Sequence, residues 1–158
     1  MPRSAGDARQ LLQLTRDLAR CCQSKEEQIF RRFDLSCAEG RVLLTMAETG
    51  ASNPTEVARQ LGIGRSRLTP LVDRLVQKGF IARTESSADR RVRHLALHPS
   101  GARIADEVFE YQLNFHRTLL RRFSAEERDG LFGTLVRLHE EMSALSKQIA
   151  GDDSSLGA

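Results

Sequence analysis

The stretch from Asn53 to Leu97 limits the possible fold more than any other part of the chain. Asn53-Pro54-Thr55-Glu56 offers a cap, a proline at the first helical position and an acid in the first turn. The helix it opens carries Val57, Ala58 and Leu61 and stops at Gly62. A second helix runs from about Arg65 to Lys78, turning Leu68, Leu71, Val72, Leu75 and Val76 to one side until Gly79 ends it. Phe80–Thr84 and Val92–Leu97 then read as two short strands around a polar tip, Glu85–Arg91. Ala58, Gly62 and Leu68 have helix-turn-helix spacing: a small residue where the helices meet, a glycine for the tight turn, and a leucine that packs one helix on the other. With a basic hairpin directly after it, the unit reads as a winged helix. Its second helix can enter a major groove while the wing reaches sideways.

The flanks are helical. Leu11, Leu14, Leu18, Cys22, Ile29 and Phe33 recur at mostly helical spacing, predicting one long helix from Asp7 to about Phe33. Ser36-Cys37-Ala38-Glu39 is a capping box, opening a helix with Val42, Leu43 and Met46 that Gly50 ends. Pro99-Ser100 starts a fifth helix running to about Phe123, and Ser124-Ala125-Glu126-Glu127 is a second capping box. In the sixth helix Leu131, Leu135, Leu138, Met142, Leu145 and Ile149 alternate steps of four and three, a heptad seam that wants a partner helix from this chain or another. The expected fold is mainly α with a small β wing. Residues 7–33 and 99–150 would form a helical dimerisation lobe and 34–98 a winged helix-turn-helix domain, between flexible ends 1–6 and 151–158.

A net charge of +3 says little, but nine basic residues fall between Arg59 and His98 against three acidic ones. A basic middle of this kind suits a polyanion surface. No apolar run approaches bilayer length, the first twenty residues hold no apolar core, and three cysteines make no disulfide framework. A soluble, cytoplasmic chain is expected.

The run from Leu61 to Ile81 resembles the recognition helix of MarR-type (multiple antibiotic resistance) regulators. Asp89-Arg90-Arg91 resembles that family's D-x-R wing signature, and Leu97-His98-Pro99-Ser100-Gly101 its strand-to-helix junction. The resemblance covers residues 8–150 or so. It implies an obligate homodimer, its lobe built from the first, fifth and sixth helices with Leu131, Leu135, Leu138, Met142, Leu145 and Ile149 at the interface. It further implies binding to palindromic double-stranded DNA, as a repressor, with release by a small aromatic or carboxylate effector. By position, Arg65, Ser66, Arg67 and Thr69 match the groove-facing start of the recognition helix. Arg91 matches the minor-groove arginine that Asp89 orients; Arg74, Arg83, Arg90 and Arg93 complete the expected DNA-binding set. The effector pocket is expected near Leu14, Leu18, Arg41, Met46 and Val108. The chain departs from the family pattern at Gly64, where a serine cap is usual, at Pro70 inside the recognition helix, and at His98, where threonine is common.

Other readings compete. Cys37 at a helix N-terminus would have its thiolate favoured by the dipole, giving a redox-responsive regulator. Cys21 and Cys22 fall about ten residues too late to match the redox cysteine of the resembled family. An enzyme would need Cys37 as nucleophile with His116 or His139 as base, and no phosphate loop or nucleophile elbow accompanies them. His94, His98, His116 and His139 lack ligand spacing, so neither metal nor cofactor is expected. A winged helix used only for protein contact would not need the arginines at its tip.

Overall fold

The computed structural model describes residues 5–85 and 93–155, so Asp89, Arg90 and Arg91 lie outside the described residues. The element order is α1 (Ala5–Arg31), α2 (Cys37–Thr49), α3 (Pro54–Gln60), α4 (Arg65–Gln77), β1 (Ile81–Glu85), β2 (Arg93–Leu97), α5 (Pro99–Leu120) and α6 (Ala125–Ser155). The strands pair antiparallel, with Ile81 opposite Leu97 and Glu85 opposite Arg93. The fold is therefore mainly α with a small β wing.

Each helix stops for a local reason. α1 ends before Phe33 because Asp34 adopts a left-handed conformation, φ 54°. The Leu35 amide then donates to the Phe30 carbonyl at 3.1 Å and the Asp34 amide to Arg31 at 3.3 Å. That is a Schellman turn, and its usual apolar pair, here Leu35 and Phe30, is buried. The same bond pattern ends α3 at Gly62 and α4 at Gly79, both with positive φ. α2 begins with the full capping box, Ser36 Oγ accepting from the Glu39 amide at 3.3 Å and Glu39 Oε2 accepting from the Ser36 amide at 2.8 Å.

α4 has no side-chain cap at Gly64, yet it continues through Pro70 to Gln77. The proline's missing donor would have bonded the Ser66 carbonyl, so the helix forgoes one interior hydrogen bond there. At the start of α5, His98 takes over the capping. Its carbonyl accepts from the Ala102 amide at 2.9 Å, and its Nδ1 lies 2.8 Å from the Ser100 hydroxyl, which donates to the Gly79 carbonyl at 2.6 Å.

The core joins Phe30 and Leu35 to Val42, Leu43 and Met46 of α2, Leu68 and Leu75 of α4, Ile81 and Leu95 of the hairpin, and Val108 of α5. Two glycines allow close approaches inside it, one to a ring and one to backbone. A Cβ at Gly40 would lie 2.2 Å from the Phe30 ring, and one at Gly101 would lie 2.0 Å from the Phe80 carbonyl oxygen. β2 is also tied to the α2–α3 loop, where the Leu95 amide donates to the Ser52 carbonyl at 2.7 Å.

The chain divides into two compact units between Leu113 and Asn114. In the second, α5 stops at Leu120 rather than Phe123 because Arg128 Nε donates to the Leu120 and Phe123 carbonyls, at 2.9 and 3.1 Å. α6 then runs on to Ser155, into the segment expected to be flexible. Gly151 alone does not stop it, since a helix already propagating tolerates one glycine.

Candidate nucleic-acid interface

α4 turns Leu68, Leu71, Val72 and Leu75 into the core, leaving Arg65, Ser66, Arg67, Thr69, Pro70 and Gln77 exposed on its other faces. Arg65, Ser66 and Arg67 form its first turn, where backbone amides already favour an anion. Shallow depressions flank the helix. The one beside the hairpin, of about 370 Å³, is lined by Pro54, Arg65, Thr69, Asp73 and Arg83 among others. The one beside α2, of about 500 Å³, sets Leu61, Ile63, Pro70 and Leu71 against Arg41, Arg67 and Arg74.

The arginines of this region fall into two groups. Arg83 donates to Asp73, Arg59 to Glu56 at 2.6 Å, and Arg41 to Glu26 at 2.7 Å. The sequence expectation puts Arg74 among the DNA-contacting residues, but its Nε donates to Glu39 Oε1 at 2.8 Å, which gives it a structural task. Arg65 and Arg67 have no ion pair among the described residues and are exposed. Among the described residues of α4 they are the cations left to meet a phosphate or a base. Thr69 is exposed too, its hydroxyl donating to the Arg65 carbonyl at 3.0 Å. Arg93 pairs with Glu85 in the hairpin register through its backbone.

Behind α4 lies a cluster that the sequence reading missed. Glu39 is only 3% exposed. Its Oε2 accepts from the Ser36 amide and from Ser36 Oγ at 2.9 Å, and faces Lys78 Nζ at 3.4 Å. Lys78 Nζ also donates to the Asp34 carbonyl. Burial would push this carboxyl up. The Ser36 amide, the Arg74 guanidinium, the Ser36 hydroxyl and the Lys78 charge outweigh it and hold Glu39 at about 2, against an ordinary 4.5. The available signal was the pair Arg74 and Lys78, one turn apart on α4, with a capping-box acid to receive them.

Three expectations need correction. Cys37 does sit at the start of α2, but burial pushes its thiol up, and Glu27 adds to this against the opposing Arg41. The thiolate is therefore disfavoured. The five residues proposed for an effector pocket do not line one cavity within the chain. Met46 and Val108 are core, 3% and 1% exposed, whereas Leu14 and Leu18 are over half exposed on α1, and Arg41 borders the depression beside α2. Arg74 is the third.

On α6, Leu135, Met142, Leu145 and Ile149 are exposed, Ile149 by 68%, and Leu131 and Leu138 are partly buried.

The sequence profile of the MarR family matches residues 35–92. The HTH-type transcriptional regulator PecS of Dickeya dadantii (strain 3937) is 30% identical over 119 residues, covering 73% of this chain and 72% of that protein. The transcriptional repressor MprA of Escherichia coli (strain K12) is 34% identical over 90 residues, 57% of this chain and 51% of its own. Among solved structures, a MarR family protein from Bacillus stearothermophilus matches with a TM-score of 0.78 at 26% identity, over 89% of this chain and 98% of that one.

The Glu39 cluster makes a pH prediction. Because its folded value lies below its unfolded one, its contribution is complete above about pH 4.5 and is lost as pH falls towards 2. A shift of that size corresponds to about 3 kcal/mol. Glu39→Gln should lower stability at neutral pH by about 2–3 kcal/mol. The difference from wild type should shrink steadily between pH 5 and pH 2 in urea titrations. A constant difference across that window would reject the assignment.

Proposed function

Starting from the fact that the chain belongs to the MarR family of DNA-binding transcriptional regulators, we propose that it is a repressor that grips a palindromic operator as a homodimer and lets go when a small amphipathic acid binds. It is a regulator and not an enzyme. A cytoplasmic location belongs to the same reading; among the described residues no helix is long and apolar enough to cross a membrane.

The observation that carries the reading is the contrast along α4. At its C-terminal end Arg74 and the capping Lys78 are spent on Glu39, and its Asp73 holds Arg83 of β1, while Arg65 and Arg67 stand exposed at its N-terminal end. A helix so anchored can present its first turn to base edges, as recognition helices do, with arginine bridging guanine. Repression is favoured by the likeness to a protein named as a transcriptional repressor. Two copies would have to set their recognition helices about 34 Å apart, one turn of the duplex. The second copy is supported by the apolar seam of α6, too long and too exposed for an isolated chain in water.

For the effector, the depression beside α2 has suitable chemistry. Its apolar wall fits an aromatic ring, Arg67 can meet a carboxylate, and Arg41 beside it could do so by sharing its guanidinium with Glu26, while Arg74 stays on Glu39. An acid lodged there would engage Arg67, which the DNA also needs. Competition for one arginine gives the ligand the differential affinity that release requires.

Duplexes selected from a random pool should bind with strong salt dependence. Arg65→Ala and Arg67→Ala should each cost roughly 1–3 kcal/mol of affinity while leaving the thermal midpoint nearly unchanged. Unchanged affinity in both variants would reject the interface. Leu138→Lys combined with Leu145→Lys should abolish the dimer, leaving a monomer or an unfolded chain by sedimentation; a stable wild-type monomer at micromolar concentration would count against the dimer. Aromatic acids such as salicylate should release DNA at millimolar levels in fluorescence anisotropy, and less readily from Arg41→Ala. Failure of all of them would remove the effector from the mechanism.

A further inference from the structure

α4 breaks a rule of helix chemistry on the face where it matters most. Proline is the least favourable residue in a helix interior, since it removes a donor and crowds the carbonyl four residues back. Pro70 nevertheless lies inside α4. It is exposed, so burial of its ring returns little to the fold. The inward stripe of Leu68, Leu71, Val72 and Leu75 places position 70 on the opposite side of the helix, one turn beyond Ser66. Ser66, Arg67 and Pro70 border the same depression, and Arg65 and Thr69 border the one on the other flank. The ring thus stands exposed between the two flanks, at the edge of the apolar wall that Leu61, Ile63 and Leu71 make and next to Ser66 and Arg67. A local rule broken on an exposed face, with no gain in packing, is what a functional surface looks like.

We propose that Pro70 is a specificity-determining residue, its ring packing on the C5-methyl group of a thymine in each operator half-site. The inference rests on the DNA-binding reading above and adds a base identity to it. Every feature a proline presents to the groove is apolar, because it has neither a side-chain donor nor a backbone amide. The one apolar group on the major-groove edges of the bases is the thymine methyl. Arginine to either side would take guanine, so the half-site should place its essential thymine next to guanine contacts.

The test replaces each thymine of a selected operator, one at a time, with deoxyuridine. This removes the methyl and leaves pairing intact. In wild type, one position per half-site should weaken binding about fourfold, the worth of one buried methyl, and about fifteenfold when both half-sites are changed. Pro70→Ser restores the amide, so it should melt no lower than wild type, and its affinity should be insensitive to the same replacement. Arg67→Ala, weaker overall, should retain the penalty. A wild-type protein indifferent to deoxyuridine at every position would overturn the proposal, as would an equal penalty in Pro70→Ser. Failure to bind any duplex would instead sink the DNA-binding reading and this inference with it, and the absence of any binding signal tells that outcome apart.

Discussion

One carboxylate organises the DNA-facing half of the molecule. Glu39 closes the first turn of α2 through Ser36 and, from the same two oxygens, holds Arg74 and Lys78 of α4. A buried carboxylate left alone would be intolerable, and its burial is offset only while all of these donors stay in place. Its two oxygens therefore add directional contacts, one to Arg74 and one to Lys78, to the seat that Leu68 and Leu75 give α4 by packing. Because Arg74 and Lys78 lie on the second half of α4, the first turn is left protruding. Arg65 and Arg67 owe their exposure to an anchor two turns away.

That division of labour explains why charge alone misleads. Nine basic residues between Arg59 and His98 suggest a broad cationic face. Folding spends Arg59, Arg74, Lys78 and Arg83 on carboxylates, Glu56 of the same helix as Arg59 and Glu39 and Asp73 of neighbouring elements. The remaining field is narrower and more directed. A surface of many loose cations would bind any polyanion by counterion release, whereas a few pre-positioned arginines can also discriminate between bases.

The helices, their caps and the order of the elements were legible because they depend on neighbours in sequence. The capping boxes at Ser36 and Ser124, the glycine stops at 62 and 79, and the alternating strands all follow from local hydrogen bonding. Asp34 was not legible as a helix terminator, because an aspartate in the left-handed region needs the buried Phe30–Leu35 pair to hold it there. The two close approaches at Gly40 and Gly101 were hidden for the same reason, since each concerns an atom far along the chain. At the candidate site the exposed start of α4 could be read from periodicity. The task given to Arg74 could not, because an arginine one turn from Lys78 reads equally well as a DNA contact until a distant glutamate claims it. Cys37 failed in a related way: its place at a helix start is local, but its burial and the nearby Glu27 come from tertiary packing.

The corner between α1 and α2 shows how tightly α4 is coupled to the rest of its unit. Phe33 meets Tyr111 of α5 edge-on, with ring centroids 5.8 Å apart, and the Arg32 guanidinium lies 5.2 Å from the same ring. One residue further, the Asp34 carbonyl accepts from Lys78 at the end of α4. Glu26 of α1 meanwhile holds Arg41 of α2, which borders the same depression as Arg67. Polar and aromatic contacts therefore tie the end of α1 to α2, to α5 and to the end of α4. Packed interiors tied in this way move as a block rather than by bending. The exposed apolar faces at Leu14, Leu18, Phe109 and Tyr111 thus belong to the two helices, α1 and α5, that these contacts tie to the end of α4.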